Sequence, residues 1–144
     1  NGDTAAANAL DDYEEGTWTP TFYSTGDGTW THTGQVGHYT KIGNVVHVAG
    51  LVGGNSTGSE SGNVNIAGLP FNVAGNQDIW QVLITDHGGF AQTPSNFAGM
   101  GGFANKNTDR LYVMYQRDNG NSAGFPTTSM GSATYMYFTC TYRA

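Results

Sequence analysis

Residues 35–52 read Gln-Val-Gly-His-Tyr-Thr-Lys-Ile-Gly-Asn-Val-Val-His-Val-Ala-Gly-Leu-Val. Two strand-like segments, Gln35–Ile42 and Val45–Val52, flank Gly43-Asn44, a dipeptide typical of a two-residue hairpin turn. In the second segment, valines at positions 46, 48 and 52 share one face, and apolar residues also occupy the opposite face. A strand that is apolar on both faces is predicted to lie near the middle of a packed assembly.

The rest of the chain continues as short strands joined by turns. Trp18–Tyr23, Arg110–Arg117 and Ala133–Tyr142 are predicted strands, and Asp86–Thr108 is predicted to be the longest irregular stretch. Glycine is abundant, with 22 of 144 residues, and no amphipathic helical period occurs. Eight or nine strands are expected. The pattern predicts an all-β fold, an antiparallel two-sheet β-sandwich of the jelly-roll type, with a closed β-barrel as the alternative.

Composition narrows the possible partners. The net charge is −6 and the chain has five Lys and Arg residues, so it cannot form the basic surface that nucleic acid requires. Membrane insertion is not expected, because the sequence has no apolar run of 18 residues. The single cysteine excludes an internal disulfide and a multi-cysteine zinc site. We therefore expect no metal and no cofactor, whereas a neutral glycan is an acceptable ligand.

Four blocks of sequence, in order, resemble the C-terminal β-module of tailed-bacteriophage tail fibres and tail spikes. The blocks are Asp11–Pro20, Tyr39–Gly50, Ile66–Phe71 and Phe138–Ala144. The resemblance implies a β-sandwich at the receptor-binding tip of a trimeric fibre, with one sheet of each subunit packed around the threefold axis. It further implies a virion, extracellular location, attachment to an upstream shaft and recognition of host-surface carbohydrate. Residues 1–15 are then a lead-in from the shaft, and residues 16–144 form one domain.

Carbohydrate sites combine aromatic faces with side chains that hydrogen-bond hydroxyl groups, and three segments offer both. The first offers Tyr23, Asp27, Trp30 and His32. The second offers Asp86, His87, Phe90, Gln92, Asn96, Phe97, Asn105 and Lys106. The third offers Asp118, Asn119, Asn121 and Phe125. The alternative for the phenylalanines is that they anchor long loops to the core, and Trp30 is open to either interpretation.

Two other functions compete with recognition. A purely structural trimeric cap, or a capsid-decoration module, needs no glycan site at all. A polysaccharide-cleaving enzyme needs two facing carboxylates, and Asp86 with Glu60 is the pair that the sequence offers. No nucleophile elbow or metal-binding spacing occurs, so we expect no enzymatic activity.

Overall fold

The computed structural model describes residues 12–75 and 80–144, and these residues form ten strands and one turn of 3-10 helix at Thr127–Ser129. The strands are β1 Tyr13–Trp18, β2 Thr21–Ser24, β3 Trp30–Ile42, β4 Val45–Ser56, β5 Val64–Ala67, β6 Gln81–Phe90, β7 Phe97–Asn105, β8 Arg110–Arg117, β9 Gly120–Gly124 and β10 Met130–Arg143. The predicted hairpin is confirmed, since β3 and β4 are joined by Gly43 and Asn44, and Gly43 has a φ of 58°.

All ten strands belong to one antiparallel sheet. Its order is β1-β3-β4-β10-β6-β7-β8-β5-β2, and β9 pairs with β8. Although only Thr19 and Pro20 separate β1 from β2 in the chain, the two strands occupy opposite ends of the sheet. The sheet curls into a half-barrel and brings β2 back to β3. There the Phe22 amide donates to His32 Nε2 at 2.8 Å and Gln35 Nε2 donates to the Pro20 carbonyl at 2.9 Å.

The all-β antiparallel class is therefore confirmed, but the sheet is one curled surface and does not divide into the two separate sheets of the expected sandwich. The pairing of β6 with β7 joins the two parts of the sheet into one, and in it Gln81 pairs with Phe103 and Val82 with Gly102. Glycine is needed at position 102 because an added Cβ would lie 1.8 Å from the Tyr112 carbonyl oxygen. We call β1, β3, β4, β10 and β6 the β10 half of the sheet, and β7, β8, β9, β5 and β2 the β8 half.

The core fills the concave side of the sheet. Inward positions alternate with outward ones, as in β10, where Met136, Phe138, Cys140 and Tyr142 are buried. The two halves meet through aromatic contacts, including Phe125 with Phe90 at 4.8 Å between ring centroids. The outward positions of both halves are thus free to carry function.

Three boundaries differ from the sequence prediction. β1 begins at Tyr13, so residues 13–15 of the predicted lead-in pair with β3, while residues 1–11 lie outside the described residues. The predicted strand Trp18–Tyr23 is divided by Thr19 and Pro20, because proline cannot donate to a ladder. The prediction of an irregular Asp86–Thr108 was wrong, since β6 extends to Phe90 and β7 lies within it.

Candidate functional site

Trp30, the strongest aromatic candidate for recognition, packs into the fold. Its indole Nε1 donates to the buried Ser24 hydroxyl at 2.9 Å, and its ring lies 5.2 Å from that of Phe22. A half-buried indole with its hydrogen bond already made offers little to a ligand. The structure therefore favours the packing interpretation of Trp30.

His32 lies next to Trp30 in the same seam between β2 and β3. Its Nε2 accepts the Phe22 amide hydrogen at 2.8 Å, which requires the neutral ring with its proton on Nδ1. Burial lowers the pKa of His32 below its ordinary value, in agreement with that role. His32 closes the half-barrel.

Tyr23 and Asp27 do not complete a groove with these residues. The Arg110 guanidinium lies 3.8 Å from the centroid of the Tyr23 ring and covers that face. Asp27 is exposed in the turn after β2, and its amide donates to the Ser61 hydroxyl at 2.9 Å. The first predicted set is thus mostly structural.

The second predicted set is split between distant places. His87 stacks on Phe90 at 5.1 Å and meets the edge of Phe97 at 5.9 Å, so these rings anchor one another as the alternative interpretation expected. Gln81 pairs with Phe103, which places Asn105 and Asp86 about seven strand positions apart, roughly 20 Å at ~3.3 Å per residue. They cannot share one sugar ring.

In the third set, Phe125 is fully buried and belongs to the core. Asp118 and Asn119 lie exposed in the turn between β8 and β9, and Asn121 is exposed on β9. The Asp118 amide donates to the Asn96 carbonyl at 2.9 Å. This turn carries polar groups without an accompanying free aromatic ring.

Asp86 lines a groove of about 370 Å³ on the outer side of the β10 half. Tyr135 and Tyr137 form one wall, with their ring centroids 6.0 Å apart. The Asp86 carboxylate accepts the His87 amide hydrogen at 2.8 Å. Thr33 also lines the groove and lies at an irregularity in the pairing of β3 with β4. Of the predicted residues that the structure describes, Asp86 is the one that meets an aromatic wall in a groove.

A larger feature of the same outer surface was not predicted as a site. The large apolar side chains that the structure describes as exposed all point outward from the β10 half: Tyr13, Val36, Ile42, Val45, Leu83 and Tyr137. We call this surface the apolar face. Ile42 is 61% exposed and Leu83 is 54% exposed. A depression of about 490 Å³ lies at its centre, lined by residues that include Val36, Leu51 and Tyr137.

The centre of the apolar face carries no charge among the residues that the structure describes. One cross-strand row is Thr17, His38, Ala49, Thr139 and Leu83. The adjacent row contains Val36, Leu51 and Tyr137 and ends at Asp86 on β6, at the margin of the face. Contiguous exposed apolar surface of this kind marks interaction sites in soluble proteins. The sequence signal for it was the apolar occupation of both faces of β4.

Glu60, the carboxylate suggested as a partner for Asp86 in catalysis, is used within its own turn. Its Oε2 accepts from the Ser56 hydroxyl at 2.8 Å and its Oε1 accepts from the Thr57 amide at 2.9 Å. Burial raises the pKa of Glu60, but the hydrogen bonds from Thr57, Ser56 and its own amide together outweigh burial and lower the pKa below its ordinary value. Glu60 is thus an ionised turn-closing group.

Within residues 12–75 and 80–144, no group of three or more His, Cys, Asp or Glu side chains is arranged to hold a metal ion. In the same residues, no helix has the length and apolar character needed to cross a bilayer.

These observations define the class of molecule: an antiparallel, curled β-sheet module with one apolar outer face. No protein-family model and no curated protein matches the sequence. Among solved structures, the fold is similar to the crystal structure of the Dettilon tailspike protein, with a TM-score of 0.73 and 20% identity. The match covers 91% of this chain and 24% of that one, so this chain spans about a quarter of the tailspike's length.

Proposed function

We propose that this chain is the C-terminal module of a phage tail fibre or tail spike. In this proposal it associates as a homotrimer through the apolar face and recognises host-surface carbohydrate. The observation that carries the proposal is the concentration of exposed apolar side chains on the outer side of the β10 half. The similarity of fold to a tailspike protein, together with the four sequence blocks, supports the location in a virion tail and the attachment to an upstream shaft.

Charge and size favour another copy of this chain as the occupant of the apolar face. Two copies with a net charge of −6 repel each other at most approaches, and the uncharged centre of the apolar face avoids that repulsion. The face spans five strands and about six residues of β3. At ~4.8 Å between strands and ~3.3 Å per residue, its plan area is roughly 400 Å². The largest apolar patches of monomeric proteins have this size and are often functional.

Recognition without catalysis is the chemistry that we infer for the remaining surface. The oxygens of Glu60 are held by its own turn, so the pairing of Asp86 with Glu60 for glycoside hydrolysis is not supported. A polar sugar exchanges hydrogen bonds with water for hydrogen bonds with protein at small net gain, so each site is expected to be weak. Three copies on one fibre raise the avidity without new contacts.

A structural cap without a glycan site is the second candidate. The specific observation in its favour is that Tyr23, Trp30 and His32, which were predicted to bind sugar, are occupied by contacts within the fold. Both candidates require association through the apolar face, and they differ in whether the associated module binds any sugar.

The first test measures the mass of the purified module by light scattering at micromolar concentration. We expect three times the protomer mass for the wild type and the protomer mass for Leu83→Arg, because a charge buried in an apolar contact is strongly unfavourable. Asn119→Arg adds the same charge to an exposed turn of the β8 half and is expected to stay trimeric. A monomeric wild type, or a Leu83→Arg variant of unchanged mass, refutes association through this face.

A glycan array with the same trimer then separates the two candidate functions. Binding to a defined set of sugars supports recognition, and a trimer that binds no glycan leaves the structural cap. A released product, detected by mass spectrometry after incubation with a bound polysaccharide, overturns the inference of recognition without catalysis.

A further inference from the structure

A second groove lies on the outer surface of β7, β8 and β9, with one residue contributed by the start of β6. Its volume is about 490 Å³, which falls within the range of small-ligand sites. We call it the Phe103 groove. It is lined by Gln81, Met100, Gly101, Gly102, Phe103, Met114, Gln116 and Ser122.

The register of the sheet places these side chains together. Phe103 pairs with Tyr112 on one side and with Gln81 on the other, and Gln116 pairs with Gly99. Leu111, Val113 and Tyr115 of β8 point into the core, so the alternate residues Tyr112, Met114 and Gln116 face outward. The groove thus runs along the outward side of β7 from the Phe103 ring towards Gln116.

An aromatic wall closes one end of the groove. The rings of Phe103 and Tyr112 have centroids 5.1 Å apart and an interplanar angle of 56°. Phe103 is half-buried, so its ring is held by neighbours and still reaches the groove. A fixed ring of this kind offers its face to the C–H groups of a pyranose at small cost in side-chain entropy.

The floor of the groove is bare backbone. A Cβ added at Gly101 would meet only the Val82 carbonyl oxygen, at 3.5 Å, and one added at Gly99 would meet nothing within 4 Å. Packing within the fold therefore does not require glycine at these two positions, in contrast to Gly102. A side chain at position 101 would project into the groove, so its absence keeps the groove open.

The polar groups of the groove are neutral. Gln81 and Gln116 supply amide donors and acceptors, and Ser122 supplies a hydroxyl. The described residues that line the groove include no Asp, Glu, Lys, Arg or His. An ionised ligand would lose its hydration here without gaining an opposite charge. Amides and a hydroxyl beside an aromatic ring suit the alternating C–H and O–H surface of an uncharged sugar.

We propose that the Phe103 groove is a binding site for a neutral oligosaccharide. The proposal deepens the proposed function and rests on its assignment of carbohydrate recognition. Apart from Gln81 of β6, which lies two residues from Leu83 of the apolar face, the lining of the groove belongs to the β8 half. The Asp86 groove shares Leu51 and Tyr137 with the depression in the apolar face, so association covers part of it.

The test uses the full chain on an array of neutral and acidic bacterial oligosaccharides, followed by calorimetric titration with the neutral glycan that gives the highest signal. Gly101→Val fills the groove from a position with free space around its Cβ. Phe103→Ala removes the aromatic wall. We expect at least a tenfold loss of affinity in each variant. Ser132→Val, at an exposed position of β10 outside the groove, is the matched control and is expected to bind as the wild type does.

Folding and association are checked for each variant by thermal unfolding and light scattering. A trimer whose neutral-glycan binding survives Gly101→Val with unchanged affinity refutes the Phe103 groove and leaves the proposed function intact. Binding restricted to acidic glycans, or to no glycan, also refutes the groove. A monomeric wild type that binds a neutral glycan and loses it in Gly101→Val supports the groove while refuting the trimer.

Discussion

Replacement of Trp30 by alanine distinguishes packing from recognition at the residue where the sequence left both open. The indole contacts Phe22 and donates to the buried Ser24 hydroxyl. Truncation of a fully buried tryptophan costs about 3–5 kcal/mol, and Trp30 is half-buried, so roughly half of that applies. Loss of the hydrogen bond adds about 1 kcal/mol. We therefore expect Trp30→Ala to lower the free energy of unfolding by about 3 kcal/mol.

The Trp30→Phe variant separates the two contributions. Phenylalanine retains a ring against Phe22 but cannot donate to Ser24, so we expect a loss of about 1 kcal/mol. The exposed neighbour Thr31 is the control, and Thr31→Ala is expected to stay within about 0.5 kcal/mol of the wild type. Urea unfolding followed by tryptophan fluorescence and circular dichroism measures all three variants.

Protein concentration must be equal in these experiments, because association links stability to the concentration of protomers. Glycan binding is measured on each folded variant under native conditions. A Trp30→Ala protein with unchanged unfolding midpoint and abolished glycan binding would show that the packing argument is mistaken. That result would return Trp30 to the list of recognition residues.

Two further predictions concern titratable groups. Burial raises the pKa of the Cys140 thiol to about 12, so at pH 8 only about one molecule in ten thousand carries the thiolate. We therefore expect a thiol reagent to label Cys140 in urea but not in the native protein. Rapid labelling of the native protein would contradict the burial of this side chain. The pKa of His32 is lowered in the fold, so the unfolded chain binds a proton on this ring more tightly than the folded protein does. The contribution of neutral His32 to the stability of the fold is therefore lost as the pH falls below ~6.5. The unfolding temperature should fall between pH 7 and pH 5 in the wild type and should fall less in His32→Gln. An equal fall of the unfolding temperature in both proteins would contradict the assigned hydrogen bond to Phe22.

The sequence predicted those strands whose alternation is complete within a few residues. Arg110–Arg117 was predicted with the boundaries that the structure has, because its apolar residues alternate without interruption. The hairpin at Gly43 and Asn44 carries its own turn chemistry. In contrast, β7 contains Gly99, Gly101 and Gly102, which leave no alternation to detect. Pairing with β8, rather than local propensity, makes this segment a strand.

The candidate sites were harder to predict because they depend on distant partners. Nothing near Trp30 in the sequence shows that Ser24 will accept its hydrogen bond, and nothing near Tyr23 shows that Arg110 will cover its ring. The apolar face was partly visible as outward apolar residues on β4 and β10. The Phe103 groove depends on the register of β7 against β8, which sequence spacing does not determine.

The position of β10 has a consequence for how this domain acquires its structure during synthesis. β10 is the last of the ten strands to leave the ribosome, yet it lies in the middle of the sheet, between β4 and β6. Until it arrives, the β3–β4 hairpin and the ladder from β6 to β2 each expose an unpaired edge, and such edges are prone to aggregation. The ladders that β10 makes with β4 and β6 join residues that are far apart in the sequence, and pairing of this kind slows folding. We expect the folding of this domain to be sensitive to chaperones and to be completed only when β10 is available.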